Sequence, residues 1–315
     1  IYMKYLNFKP TTAGEHLFQH IIRDVIGENS HLELQNLGLL KAGGRAPAFF
    51  DYFLGTYAFN FLGRCLRKAA SIQKAIEDEA LHQGILTQYF QKTLELPNIV
   101  GERNLDQLAH LSLFAASYSG KAISKRTKSS VRNGQETCTC YICGKELLRK
   151  TDIAELLIKY EHVWPSSYGC DSTTGNLLPA CEKCNSHKAD MLLWQDSHIH
   201  SFILSPSPNE EEWKKITRTK KIAKHRARVF EFACTRNLSL KEAAIEIGPI
   251  DVSLQSLYSI DEDDCIDFFN FDIKGTPQPF AYSMRRLEKY LPGLKSQGFL
   301  TKTKTEYNAQ KTTTK

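Results

Sequence analysis

Nothing in the chain is long and apolar enough to read as a membrane span, because no run reaches the roughly eighteen consecutive apolar residues that a span requires. The opening residues, Ile1 to Tyr5, have neither a charged lead into an apolar core nor a small-residue cleavage site, so no secretory leader is expected. No internal repeat is evident, which argues against a solenoid or a propeller. Nine cysteines are present, but their spacing gives no disulfide framework, and a reducing cytoplasm is the expected compartment. Acidic residues are missing from two stretches, 117–135 and 214–228. The net charge of +6 is modest for 315 residues, so clustered cations carry more information about a nucleic-acid partner than the total does.

The most informative stretch runs from Cys140 to Asp190. It contains Cys140-Tyr-Ile-Cys143, then Glu161-His162-Val-Trp-Pro165, then Asn176-Leu-Leu-Pro-Ala-Cys181-Glu-Lys-Cys184-Asn185-Ser-His187-Lys188. Two Cys-x-x-Cys pairs separated by this much chain suit one tetrahedral Zn²⁺ held by Cys140, Cys143, Cys181 and Cys184. Cys138 forms a competing Cys-x-Cys with Cys140 and stays open as an alternative ligand. Between the pairs, Ile153 to His162 is expected to be a strand that delivers Glu161 and His162 to its end, where Trp164-Pro165 stops it. Asn176 opens a second short apolar run, and a helix is expected from Asn185 through Leu193.

These residues resemble the HNH endonucleases, whose fold is the ββα-metal finger. The resemblance rests on Glu161 and His162, Pro165, a central Asn176 five residues before Cys-x-x-Cys, Asn185 directly after the last cysteine, and Lys188 at the usual basic position. With Asn185 as third letter it looks like an HNN variant. Cys170 follows Gly169 where a second glycine is common, and the segment from Cys143 to His162 is longer than in many members.

The resemblance implies hydrolysis of DNA phosphodiesters to 5′-phosphate and 3′-hydroxyl ends. Such a reaction needs an activated water and a cation to offset charge on the phosphorane. His162 is the expected general base, imidazole being half-protonated near neutrality. Glu161 and Asn185 offer hard oxygens for Mg²⁺ or another divalent cation. By resemblance, Asn176 braces the loop and positions His162. His187 stays open between facing DNA, substituting as a metal ligand and pointing into solvent.

The fold class expected is mostly α with a small α+β insert: a zinc-stapled HNH finger between helical regions. Residues 1–120 read as an N-terminal helical domain for scaffolding, recognition or partner docking, with helical patterns at Ala13–Ile26, Phe49–Leu66, Gln73–Leu94 and Leu105–Ser117. The aromatic run Phe49–Leu66 is interrupted by Asp51, Asn60 and Arg64, which favours a buried core helix over a membrane anchor. Residues 121–137 read as a basic linker, 138–204 as the nuclease domain, 205–300 as a basic helical region and 301–315 as a disordered tail. Lys188, Lys214, Lys215, Arg218, Lys220, Lys221 and Lys224 are the expected nucleic-acid contacts, the last six on a helix that also carries Arg226 and Arg228. Leu238–Gly248 reads as one short helix with a capping box and a glycine end. Large helical flanks on such a finger resemble effectors of bacterial anti-phage systems of the Septu-like kind, which implies an ATPase partner protein. A homo-oligomer is also compatible, and membrane association is not expected. The rival reading is a zinc module that binds nucleic acid without cutting, or that stays silent until a partner docks.

Overall fold

The computed structural model describes residues 6–27, 46–94, 96, 101–193, 210–215 and 218–253. The acidic stretch 261–267, the Pro-Ser boundary at 205–208 and the tail 301–315 lie outside the described residues.

Helix α1 spans Ala13–His20. Thr12 caps it by accepting the Glu15 N–H at 3.2 Å, and the Glu15 carboxylate accepts the Thr12 N–H at 2.8 Å. The chain continues as π-helical turns over Ile21–Gly27. Helix α2 spans Ala46–Ala75, α3 spans Glu79–Gln88 with π-helical turns at Tyr89–Thr93, and α4 spans Glu102–Tyr118. The sequence expectation of one helical pattern over Gln73–Leu94 is corrected to a break. Asp78 accepts the Ala80 N–H at 3.0 Å and starts a new helix there. The aromatic run lies in α2, where Leu54, Ala58, Phe59, Leu62 and Leu66 turn inward, while Phe53 and Tyr57 are exposed. Among the described residues no helix is long and apolar enough to cross a membrane.

The segment read as a basic linker contains helix α5, Lys125–Val131, which Ser124 caps by accepting the Thr127 N–H at 3.0 Å. It packs against the turn Thr174–Asn176 and the strand that follows. Two antiparallel pairs then build the finger. Strand β1, Thr137–Thr139, pairs with β2, Glu146–Leu148. Strand β3, Lys159–His162, pairs with β4, Leu177–Ala180, with His162 opposite Leu177. The expected strand from Ile153 is thus shorter, because Ala154–Leu156 closes a 3₁₀ turn first.

Helix α6 spans Glu182–Lys188, earlier and shorter than the expected Asn185–Leu193. Cys181 caps it by accepting the Cys184 N–H at 3.4 Å, and Ala189 at φ 42° ends it. Helices α7 (Glu210–Lys215), α8 (Arg218–Arg236) and α9 (Leu240–Ile247) follow. Ser239 and Glu242 form the capping box of α9, and Gly248 at φ 71° ends it.

The flanks and the finger share one core. The Trp164 ring, fully buried, lies 5.5 Å from Phe18 and 6.2 Å from Phe8, and Phe8 meets Phe230 of α8 edge-on at 5.5 Å. Helix α1 approaches the finger closely enough that Gly14 N–H donates to the Gly169 carbonyl at 2.7 Å. A Cβ at Gly14 would stand 2.0 Å from the Tyr168 carbonyl oxygen, so only glycine permits this contact.

Candidate active site

The base of the finger is a cluster of four sulfurs. A knuckle turn after β1 brings Cys140 and Cys143 together, with Gly144 N–H donating to the Cys140 carbonyl at 2.8 Å. Cys181 and Cys184 come from the start of α6, and the four Sγ atoms lie within 4.8 Å of one another. The Cys143 and Cys181 sulfurs are 3.8 Å apart. A tetrahedron of Zn–S bonds of about 2.3 Å has S···S edges of about 3.8 Å, so the donor set and spacing suit Zn²⁺. Crowding makes the sulfurs share protons, pushing Cys143 down to about 6 through the Cys140 thiol while Cys140 and Cys184 go up. A dication relieves that crowding by taking four thiolates. Cys138 lies in β1, in register with Leu147, and is not part of the cluster.

Strand alternation then sorts the residues of β3 onto two faces. Lys159 and Glu161 face α6: Lys159 Nζ is 2.7 Å from Glu182, and Lys188 Nζ is 2.6 Å from Glu161 Oε1. Asn185 lies midway along the same row of α6, since Glu182, Asn185 and Lys188 succeed one another at i, i+3 and i+6. Its side-chain amide is half-buried and has no hydrogen-bond partner among the described residues. Tyr160 occupies the other face, where it accepts from Arg132 Nε at 2.7 Å and Lys128 stands 5.7 Å from its ring, and His162 ends the strand.

His162 is half-buried, with Nε2 3.1 Å from Ser172 Oγ. Ser172 spends its single hydroxyl proton on the Lys121 carbonyl at 2.8 Å, so it accepts from His162. That assigns a proton to Nε2.

The backbone beyond His162 is clamped from three directions. Lys188 Nζ donates to the His162 carbonyl at 2.8 Å, and Arg226 Nη2, from α8, donates to the Val163 carbonyl at 3.0 Å. Asn176 Oδ1 accepts the Trp164 N–H at 2.7 Å, its Nδ2 donates to the Trp164 carbonyl at 2.9 Å, and its own carbonyl accepts the Val163 N–H at 2.8 Å. Asn176 is 1% exposed and reaches no solvent-facing ligand position.

Several expected nucleic-acid contacts are placed otherwise. Lys188 is buried in the finger and committed to Glu161. Burial pushes the Glu161 carboxyl up and the Lys188 ammonium down, and their mutual attraction opposes both shifts. Helix α8 is a core helix along its first half: Lys221, Lys224, His225 and Arg226 are buried. Lys221 donates to the Ser253 carbonyl. Arg218 donates toward the Cys184 sulfur at 3.5 Å, and Lys220 is half-buried. Lys214 on α7 is exposed, and the Lys215 side chain lies outside the described residues. His187 accepts or donates at Nδ1 to Thr219 Oγ1 at 2.9 Å and joins α6 to α8. Sequence reasoning missed Ser172, a loop serine without a spacing signal, and assigned Arg226 to a charge run. By contrast, the former linker presents Lys121, Lys125 and Arg126 exposed, with the Lys121 carbonyl joined to His162 through Ser172.

Comparison with known proteins agrees with this geometry. Residues 140–195 match a family model described as HNH endonuclease. No curated protein and no solved structure matches the chain. The matched segment contains both cysteine knuckles, His162, Asn176 and Asn185, so the part of the chain that is similar to the HNH endonucleases is the finger itself.

Proposed function

We propose that the chain is an endonuclease that hydrolyses DNA phosphodiesters with a divalent cation, Mg²⁺ by its oxygen donors. The observation that carries this reading is the ββα unit itself, in which His162, held at Nε2 by Ser172, and the uncommitted Asn185 amide flank one strand above the four-cysteine cluster.

Asn185 and Glu161 would hold the cation. Lys188 occupies only Oε1 of Glu161, which leaves Oε2 for a single bond, in keeping with the few protein ligands that Mg²⁺ takes. When bound, such a cation offsets charge on the phosphorane and on the leaving 3′ oxygen. His162 takes the proton of the attacking water at Nδ1 while Ser172 holds Nε2–H. The water oxygen bonds to phosphorus, the bond to the 3′ oxygen breaks, and that oxygen takes a proton from solvent, so that a 5′-phosphate and a 3′-hydroxyl remain. The clamp of Lys188, Arg226 and Asn176 fixes the backbone on which the imidazole is mounted. Lys121, Lys125 and Arg126 supply the sequence-independent phosphate contacts.

The chain acts in the cytoplasm, where its thiols stay reduced. All eight cysteines among the described residues are free. A place in anti-phage defence beside an ATPase partner rests on analogy with other helix-flanked HNH effectors.

The test is cleavage of supercoiled plasmid with Mg²⁺ by the zinc-loaded protein, alone and with any co-purifying chain. Nicking that disappears with EDTA and in His162→Ala, at unchanged zinc content, supports the reading. Nicking retained by His162→Ala refutes the role of His162, and none by the wild type in any pairing refutes the reading in favour of a non-cutting zinc module.

A further inference from the structure

Helix α4 carries a feature that the nuclease centre does not absorb. Its inward face holds Leu105, Leu108, Ala109, Ser112 and Ala115. Opposite to these, Arg103, His110, Phe114 and Tyr118 recur at helical spacing along the outward face. His110 and Phe114 are exposed, and their rings are nearly parallel at 6.3 Å between centroids with 10° between planes. Phe114 is 46% exposed and meets Tyr118 edge-on at 4.9 Å. The turn at Gly120, φ 74°, then lays Lys121 Nζ 4.3 Å over the Tyr118 ring.

The stripe thus runs cation, three aromatic rings, cation, and its one acid, Asp106, a turn before His110, accepts from Thr87 Oγ1 at 3.2 Å. Its last residue is joined to the catalytic face by two bonds, from Ser172 Oγ to the Lys121 carbonyl and between Ser172 Oγ and His162 Nε2. Helix-stabilising aromatic pairs would account for the ring contacts alone. They account neither for the exposure of Phe114, nor for the cations at both ends, nor for continuity with His162.

We propose that this face of α4 is a track on which an unpaired strand of nucleic acid stacks its bases, fed toward His162 over Lys121. The direction of the track rests on the nuclease reading above; the stacking does not. Base π-faces match exposed aromatic rings, and phosphates match Arg103 and Lys121. A duplex keeps its base faces covered and gains only the two charges. The substrate class would therefore be single-stranded or locally opened nucleic acid.

The experiment uses the full zinc-loaded chain carrying His162→Ala, without Mg²⁺, and follows anisotropy of labelled oligo(dT), oligo(rU) and a mixed-sequence duplex. The parent binds the single strands more tightly than the duplex. Adding Phe114→Ala weakens single-strand binding about tenfold, the effect of removing one stacking platform, and leaves duplex binding unchanged. Phe114→Trp retains the affinity, and its emission is quenched by the single strands. Unchanged single-strand affinity in Phe114→Ala, an equal loss on the duplex, or a parent that prefers the duplex overturns the track. Because binding is read without cleavage, a chain that nicks plasmid yet ignores Phe114→Ala refutes only the track. A chain that stacks strands on Phe114 yet never nicks refutes only the nuclease.

Discussion

Replacing Lys188 by methionine separates two roles that a basic residue at this position can have. The ammonium is fully buried, its partner Glu161 is 7% exposed, and besides Glu161 Oε1 it reaches the carbonyls of His162 at 2.8 Å and Ala189 at 3.4 Å. Lys188→Met preserves most of the volume but leaves the Glu161 carboxylate buried without its cation. Breaking a buried pair in this way costs about 3–5 kcal/mol. The lost donor to the His162 carbonyl falls within that figure, because the two effects share one ammonium. Glu161→Leu added to Lys188→Met removes the stranded charge, so stability returns to within about 1–2 kcal/mol of wild type. Plasmid nicking does not return with it if Glu161 holds the cation as proposed. Urea unfolding followed by tryptophan emission reads the stability, with Trp164 buried beside the clamp. If Lys188 were a phosphate contact instead, the single substitution would barely change stability and would reduce the slope of binding against salt by about one charge. A loss below about 1 kcal/mol, or a double variant no more stable than the single one, refutes the reasoning.

Three further outcomes follow from the same geometry. Ser172→Ala frees the His162 tautomer, so kcat falls roughly tenfold or more with little change in KM, and Ser172→Thr restores it, as steady-state nicking rates would register. Asn176→Ala strands the N–H and carbonyl of Trp164 in the core and costs about 2–4 kcal/mol in urea unfolding, whereas Asn176→Asp keeps the acceptor and costs less. Burial pushes His225 down to about 4, with Nε2 donating to the Gly248 carbonyl at 3.1 Å. The unfolded chain therefore takes up the proton first as pH falls below the ordinary histidine value. Stability is complete above about 6.5 and is lost down to about 4, with roughly 2 kcal/mol gone at pH 5. In His225→Gln that part of the acid slope disappears, and a slope identical to wild type contradicts the assignment.

The clustering of the four cysteines and the order of strands and helix in the finger were legible because their signals are short-range. Chelation by a Cys-x-x-Cys turn dictates its own spacing, and a strand end followed by Trp-Pro announces where His162 must stop. Capping boxes at Thr12 and Ser239 were equally local. The capping-box helix Leu240–Ile247 was accordingly readable almost to the residue, while the long helical pattern of 73–94 hid a break set by one aspartate.

Charge was the misleading signal. A run of lysines and arginines reads the same whether water or a distant carboxylate, sulfur or carbonyl satisfies it, and those partners lie far away in sequence. Glu161 is 27 residues from Lys188, and the Val163 carbonyl is 63 residues from Arg226. The sequence alone therefore determined which atoms gather at the metal-binding finger, since chelate spacing and strand periodicity are written within a few residues. Only the tertiary structure decided which cations support that finger from inside, which hydroxyl holds His162 and which helix faces stay exposed, because burial is a property of what packs alongside.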